Sequence, residues 1–121
     1  LYYDRVFSWA KTMAMHTAIL EAGLVSPFAE WGEKRAADPE WSEPDQPITT
    51  RISCGDYFEV RDRALLAHAT QIDPDGWFFS IPLELQQQVW PTEDYQLVRS
   101  LVDAPTPEDD LFAGVRERVR V

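Results

Sequence analysis

From Val6 onward the apolar residues recur at the ~3.6-residue spacing of a helix. Val6, Ala10, Met13, Thr17, Leu20 and Leu24 fall on one face, and Phe7, Ala14 and Ala18 widen the stripe. This pattern predicts an amphipathic helix that ends near Gly23, a residue free to take the positive φ that closes a last turn. Before it, Leu1-Tyr2-Tyr3 has the aromatic, apolar character of a strand. A start inside such a run, without Met, predicts a piece of a longer chain. Beyond the helix, Ser26-Pro27 opens onto Phe28-Ala29-Glu30-Trp31, which predicts a short second helix capped by serine with proline at its first position.

The periodicity then breaks. Pro39, Pro44 and Pro47 stand among acidic residues and predict an exposed loop over about residues 35–47. Ile48 to Cys54 is β-branched and alternating, a strand by period. Gly55-Asp56 ends it, with Asp56 placed to cap a helix that runs from Tyr57 to Thr70 through Phe58, Leu65 and Ala69. A Pro74-Asp75-Gly76 turn and the run Trp77-Phe78-Phe79 follow. Ser80-Ile81-Pro82 then predicts another helix to about Val89, stopped by Pro91. Tyr95 to Ser100 reads as a last strand, and residues 104–121 as a tail with one apolar pair, Leu111-Phe112. Strands and helices intermixed in this way predict an α/β chain folded as one unit over residues 1–121.

Composition excludes some partners. A net charge of −10, with 21 acidic against 11 basic residues, argues against nucleic acid and acidic membrane surfaces, which need clustered cations. The acids gathered between Asp38 and Asp45 and at Glu108 to Asp110 read as solvated loop. Cys54 is the only cysteine, so no internal disulfide forms and a reducing compartment fits. No apolar run approaches ~18 residues and no signal-peptide pattern is present, so a cytoplasmic protein without a membrane span is expected.

Self-contained catalysis is disfavoured. His16 and His68 stand in no His-x-x-x-His pair, there is no Gly-x-Ser-x-Gly elbow and no glycine-rich phosphate loop, and Cys54 falls in a predicted strand. Trp9, Met13 and Met15 read as core filler. One line stands out: Arg61, Ala64, His68 and Gln71 share a face of the predicted helix and gather a cation, an imidazole and an amide at its C-terminal end. By spacing alone these groups either cap the last carbonyls or line a pocket.

The runs 61-RDRALLAHATQIDPDGWFF-79, 86-QQQVWPTEDYQLVRS-100 and 108-EDDLFAGV-115 resemble the C-terminal part of the mycothiol S-conjugate amidases, zinc-dependent members of the LmbE-like deacetylase family. Leu1-Tyr2-Tyr3 and 27-PFAEW-31 extend the likeness upstream, and only residues 36–47 match weakly. His-Ala-Thr-Gln at 68–71 is similar also to the related N-acetylglucosaminyl-inositol deacetylase, whereas Val89-Trp90-Pro91-Thr92-Glu93 and Glu108-Asp109-Asp110-Leu111-Phe112 point to the amidase. The resemblance implies the C-terminal portion of a Rossmann-like fold, a few strands with flanking helices, whose active site lies at the carboxyl ends of parallel strands. It also implies a zinc ion held by a His-Pro-Asp-Asp-Glu motif and a later Pro-His-Pro-Asp-His-like motif. Neither occurs here, so both metal and catalytic base are expected from an N-terminal part of the same protein.

On that resemblance Gln71 would hold the substrate or a catalytic loop, and His68 would orient the helix end. Arg61 would share their pocket, and Trp77 with Phe78 and Phe79 would wall it from water. The implied activity is hydrolysis of the glucosaminyl amide of a small thiol conjugate in detoxification. Two alternatives stand beside it: deacetylation of an N-acetylglucosamine conjugate, and a noncatalytic acidic domain that binds a protein through its tryptophans and Leu111-Phe112.

Overall fold

The computed structural model describes residues 1–42 and 46–118. Its strands are β1 (Tyr2–Asp4), β2 (Thr50–Ser53) and β3 (Thr92–Leu97). Its helices are α1 (Trp9–Glu21), α2 (Ala29–Ala36), α3 (Phe58–Leu66), α4 (Leu83–Val89) and α5 (Ala113–Arg118), with 3₁₀ turns at Gly55–Tyr57 and Trp77–Ser80. Two compact units result, one of Leu1–Phe7, Pro44–Ser53 and Thr92–Val121, the other of Ser8–Glu43 and Cys54–Pro91. Positions 43–45 of the predicted loop and 119–121 of the predicted tail lie outside the described residues.

The first unit is built on a sheet ordered β1-β3-β2. β3 pairs antiparallel with both neighbours, Tyr2 opposite Leu97 on one side and Thr50 opposite Tyr95 on the other. Helices and strands are thus mixed as expected, but the described strands run antiparallel and not in the parallel order the resemblance implied. β3 also starts three residues before the Tyr95 that composition suggested. Glu93 and Asp94, residue types that sheets generally disfavour, are drawn with Thr92 into the ladder by β2, with Asp94 fully buried and accepting from Thr92 Oγ1 at 2.8 Å.

The tail closes the far side of β2. Glu108 N donates to Thr49 O at 2.9 Å and Arg51 N to Glu108 O at 3.0 Å, a parallel bridge opposite Thr50. The buried Glu108 side chain ties the sheet together: its Oε1 accepts from Tyr2 on β1 at 2.6 Å and from Thr50 on β2 at 2.8 Å. An acidic run read as solvated therefore holds a buried structural carboxylate. Partial burial, the hydrogen bond to Glu108 and the charges of Glu108 and Asp110 push the Tyr2 hydroxyl up from 10.0 to about 12.

A raised pKa favours the neutral phenol in the fold. Its contribution is fully present below pH 10 and is lost as the pH rises towards 12. Tyr2→Phe should cost roughly 0.5–1.5 kcal/mol near pH 8, the usual net worth of one hydrogen bond. Urea melts of the two proteins should converge between pH 10 and 12; a gap unchanged across that window would show that the phenol does not titrate with the fold.

In the second unit Ser8 caps α1, its hydroxyl accepting from Lys11 N at 3.2 Å. The helix stops as its sequence anticipates: Gly23 takes φ 73°, Gly23 N donates to Leu20 O, and Leu24 N reaches back to Ile19 O at 3.0 Å. The inward face is a different one. Thr12, Met15 and Ile19 are buried, and Met15 and Ile19 pack with Ile81 against Phe28, Leu85, Val89 and Trp90. Leu20 and Leu24, expected inside, are 52% and 42% exposed. α1 is apolar on both sides, so periodicity alone does not choose between them.

Other boundaries moved as well. α2 begins at Ala29, because Ser26 Oγ accepts from Phe28 N in a turn instead of capping a helix at Pro27. It continues to Ala36, into the predicted loop. Asp56 sits inside the 3₁₀ turn and caps nothing, and α3 ends at Leu66, four residues short of Thr70. Ser80 caps no helix either; its hydroxyl donates to Trp77 O at 2.6 Å and α4 follows Pro82. The tail gains helix α5.

Candidate functional site

Arg61 organises the region that carries the predicted site residues. Its guanidinium lies over the Phe58 ring at 4.2 Å and the Phe78 ring at 5.0 Å. Its Nε donates to Asp62 Oδ1 at 2.9 Å and its Nη2 to Gln86 Oε1 at 2.8 Å. Gln86, buried on α4, passes the connection on by donating from Nε2 to Ile81 O at 3.0 Å. α3, α4 and the aromatic segment are thereby joined through one cation and one amide. Sequence reasoning missed Gln86, because nothing local marks which of three consecutive glutamines is buried.

The aromatic run forms a chain of edge-to-face rings. Phe28 meets Trp77 at 5.5 Å, Trp77 meets Phe78 at 5.9 Å, and Phe78 meets Phe79 at 5.3 Å. Trp77 remains 48% exposed and Phe78 and Phe79 half-buried, so the segment offers apolar surface while fixed from below by Arg61. The turn before it requires glycine, since a Cβ at Gly76 would stand 2.9 Å from Asp73 O.

His68 and Gln71 lie beyond the end of α3, so the shared helical face does not extend to them. Both are exposed in the turn that links α3 to the aromatic segment, where Gln71 N and Ile72 N each donate to His68 O at 2.9 Å. α3 ends early because Ala67 N and His68 N close on Arg63 O and Leu65 O and the chain turns. The hydrogen bonds described for His68 and Gln71 are made by the main chain, and both residues are exposed.

Trp9, read as core filler, instead joins an aromatic cluster. It packs on Trp31 at 5.3 Å and Trp41 at 4.9 Å, and the Arg35 guanidinium lies over both partners at 4.6 Å and 4.5 Å.

The chain matches known proteins over nearly its full length. It is 48% identical over 97% of its residues to the mycothiol S-conjugate amidase of Streptomyces coelicolor. It is 39% identical over 93% to the 1D-myo-inositol 2-acetamido-2-deoxy-alpha-D-glucopyranoside deacetylase 1 of Frankia alni, and 38% identical over 81% to the corresponding deacetylase of Geodermatophilus obscurus. The chain belongs to this amidase and deacetylase family. It spans 39%, 40% and 33% of the length of these three relatives. No protein-family model matches it, and no solved structure does.

The metal expected of such an amidase does not fit the residues in hand. Among the described residues no group of three or more His, Cys, Asp or Glu side chains could hold an ion. His16 Nδ1 is engaged with Ser26 Oγ at 2.7 Å, while His68 stands exposed in its turn. What this part of the family chain does present is an exposed aromatic ring, Trp77, and two exposed polar residues, His68 and Gln71. Among the described residues no helix is long and apolar enough to cross a membrane.

Proposed function

We propose that this chain is the substrate-side portion of a cytoplasmic, zinc-dependent amidase that hydrolyses mycothiol S-conjugates, a detoxifying reaction. The zinc ligands and the catalytic base would come from sequence outside these residues, in the N-terminal part of the same protein, within a Rossmann-like domain. The exposed segment Trp77–Phe79 would receive the apolar substituent carried on the conjugate sulfur. Gln71 and His68 would hydrogen-bond the polar part of the conjugate or a catalytic loop. Arg61, taken up by Phe58, Phe78, Asp62 and Gln86, would serve the pocket by fixing its wall.

The observation that carries this reading is the 48% identity to the amidase, against 39% and 38% to the two deacetylases. Those deacetylases support a second reading, removal of an acetyl group from a glucosaminide, which needs no room for a bulky thioether. Hydrolysis by the full-length enzyme separates the two. We expect kcat/KM for a bulky S-conjugated cysteinyl substrate to exceed that for the N-acetyl substrate by roughly 10-fold or more, about 1.4 kcal/mol in the barrier. A preference in the opposite direction would establish the deacetylase instead.

A further inference from the structure

Trp77 owes its place to two rings. Among the described residues its aromatic contacts are Phe28 at 5.5 Å and Phe78 at 5.9 Å, both edge to face. Phe78 is held in turn by Arg61. Phe28 comes from a different part of the chain, the turn between α1 and α2, and is fixed by its main chain and its ring together. Its N donates to Ser26 Oγ at 3.2 Å and its O accepts from Gly32 N at 2.9 Å, while its half-buried side chain packs on Met15, Ile19 and Ile81.

Ser26 is 6% exposed, and its hydroxyl also meets His16 Nδ1, on α1, at 2.7 Å. A hydroxyl accepts and donates, so Ser26 Oγ takes the amide hydrogen of Phe28 and shares a second bond with the imidazole. The turn is thereby pinned to α1 by a buried hydroxyl, and Phe28 carries that constraint outward to Trp77.

We propose that Phe28 is a positioning residue for substrate selection: it fixes the Trp77 ring against which the sulfur substituent is sorted by size, and Ser26 with His16 holds Phe28 in place for that task. Phe28 itself touches no substrate. Trp77 is 48% exposed, and without the edge of Phe28 beside it the ring is free to leave its rotamer, so bulky and small substituents are told apart less well. The inference deepens the proposed function and rests on the reading that Trp77–Phe79 receives the substituent of the conjugate.

Two readouts on the full-length enzyme test it: fluorine NMR of fluorotryptophan-labelled protein, with the Trp77 line assigned through Trp77→Phe, and kinetics on two conjugates that carry a bulky aromatic group or a methyl on sulfur. In Ser26→Ala, which keeps both rings, the Trp77 line should move. The kcat/KM ratio of bulky to methyl conjugate should fall by roughly 5-fold, through KM and not kcat. Phe28→Leu, which leaves an apolar group in the core but removes the ring edge, should lower the ratio at least as far, and Phe28→Tyr, which keeps the edge, should preserve it. A Trp77 line and a ratio both unchanged in folded Ser26→Ala would overturn the inference. So would a lowered ratio with an unmoved Trp77 line, since Ser26 would then act by another route. A moved Trp77 line with an unchanged ratio would bear out the hold of Ser26 and Phe28 on Trp77 and overturn instead the reading that the substituent lies against that ring.

Discussion

Arg61→Ala should destabilise the protein by about 2–4 kcal/mol. The change removes a cation held over two rings, worth roughly 0.5–1 kcal/mol each at partly exposed sites. It also strips the donor from Gln86 Oε1 at a buried position, where an unsatisfied acceptor costs roughly 1–3 kcal/mol. Arg61→Lys keeps the charge but loses the planar fork that stacks and hydrogen-bonds together, so it should recover less than half of the loss. The pairing itself is checked by adding Gln86→Leu. With the orphaned amide gone, the double variant should be more stable than the sum of the two single changes implies. Urea unfolding of the four proteins supplies the comparison; strict additivity would mean that the two side chains do not act as a unit.

Gln71→Ala should do the reverse, leaving the fold almost intact and impairing turnover. The side chain is exposed and the turn around it is held by main-chain bonds, so the melting temperature should change little. If the carboxamide holds the conjugate or a catalytic loop, kcat/KM of the full-length enzyme should fall by roughly 10-fold or more, about 1.4 kcal/mol or greater. A fall in stability of roughly 0.5–1.5 kcal/mol with undiminished turnover of the folded fraction would return Gln71 to the role of a helix-end cap.

These two residues show what could be read in advance and what could not. Local signals were legible: Gly23 closes α1 by taking a positive φ, Pro91 separates α4 from β3, and Gly76 sits where a side chain would collide with Asp73. The inward face of α1 was not, because Met15 and Ile19 on one side and Leu20 and Leu24 on the other are equally apolar. The choice is made by α4, which only the folded chain brings near. Arg61 was singled out for its helical spacing from His68 and Gln71, but its partners are Gln86, 25 residues away, and the rings of Phe58 and Phe78. Glu108 was still less visible, since an acid in an acidic run gives no hint that Tyr2, 106 residues distant, donates to it.

In the proposed function the aromatic segment would receive the sulfur substituent, and Trp77 is its most exposed ring. The direct test is kcat/KM of the full-length Trp77→Ala enzyme for two conjugates that differ only in the group on sulfur, one bulky and aromatic, the other methyl. Loss of an apolar wall should lower the value for the bulky conjugate by roughly 10-fold, about 1.4 kcal/mol, and leave the methyl conjugate within about 2-fold. Equal losses for both substrates, or no loss for either in the folded enzyme, would contradict the placement of Trp77–Phe79 against the sulfur substituent.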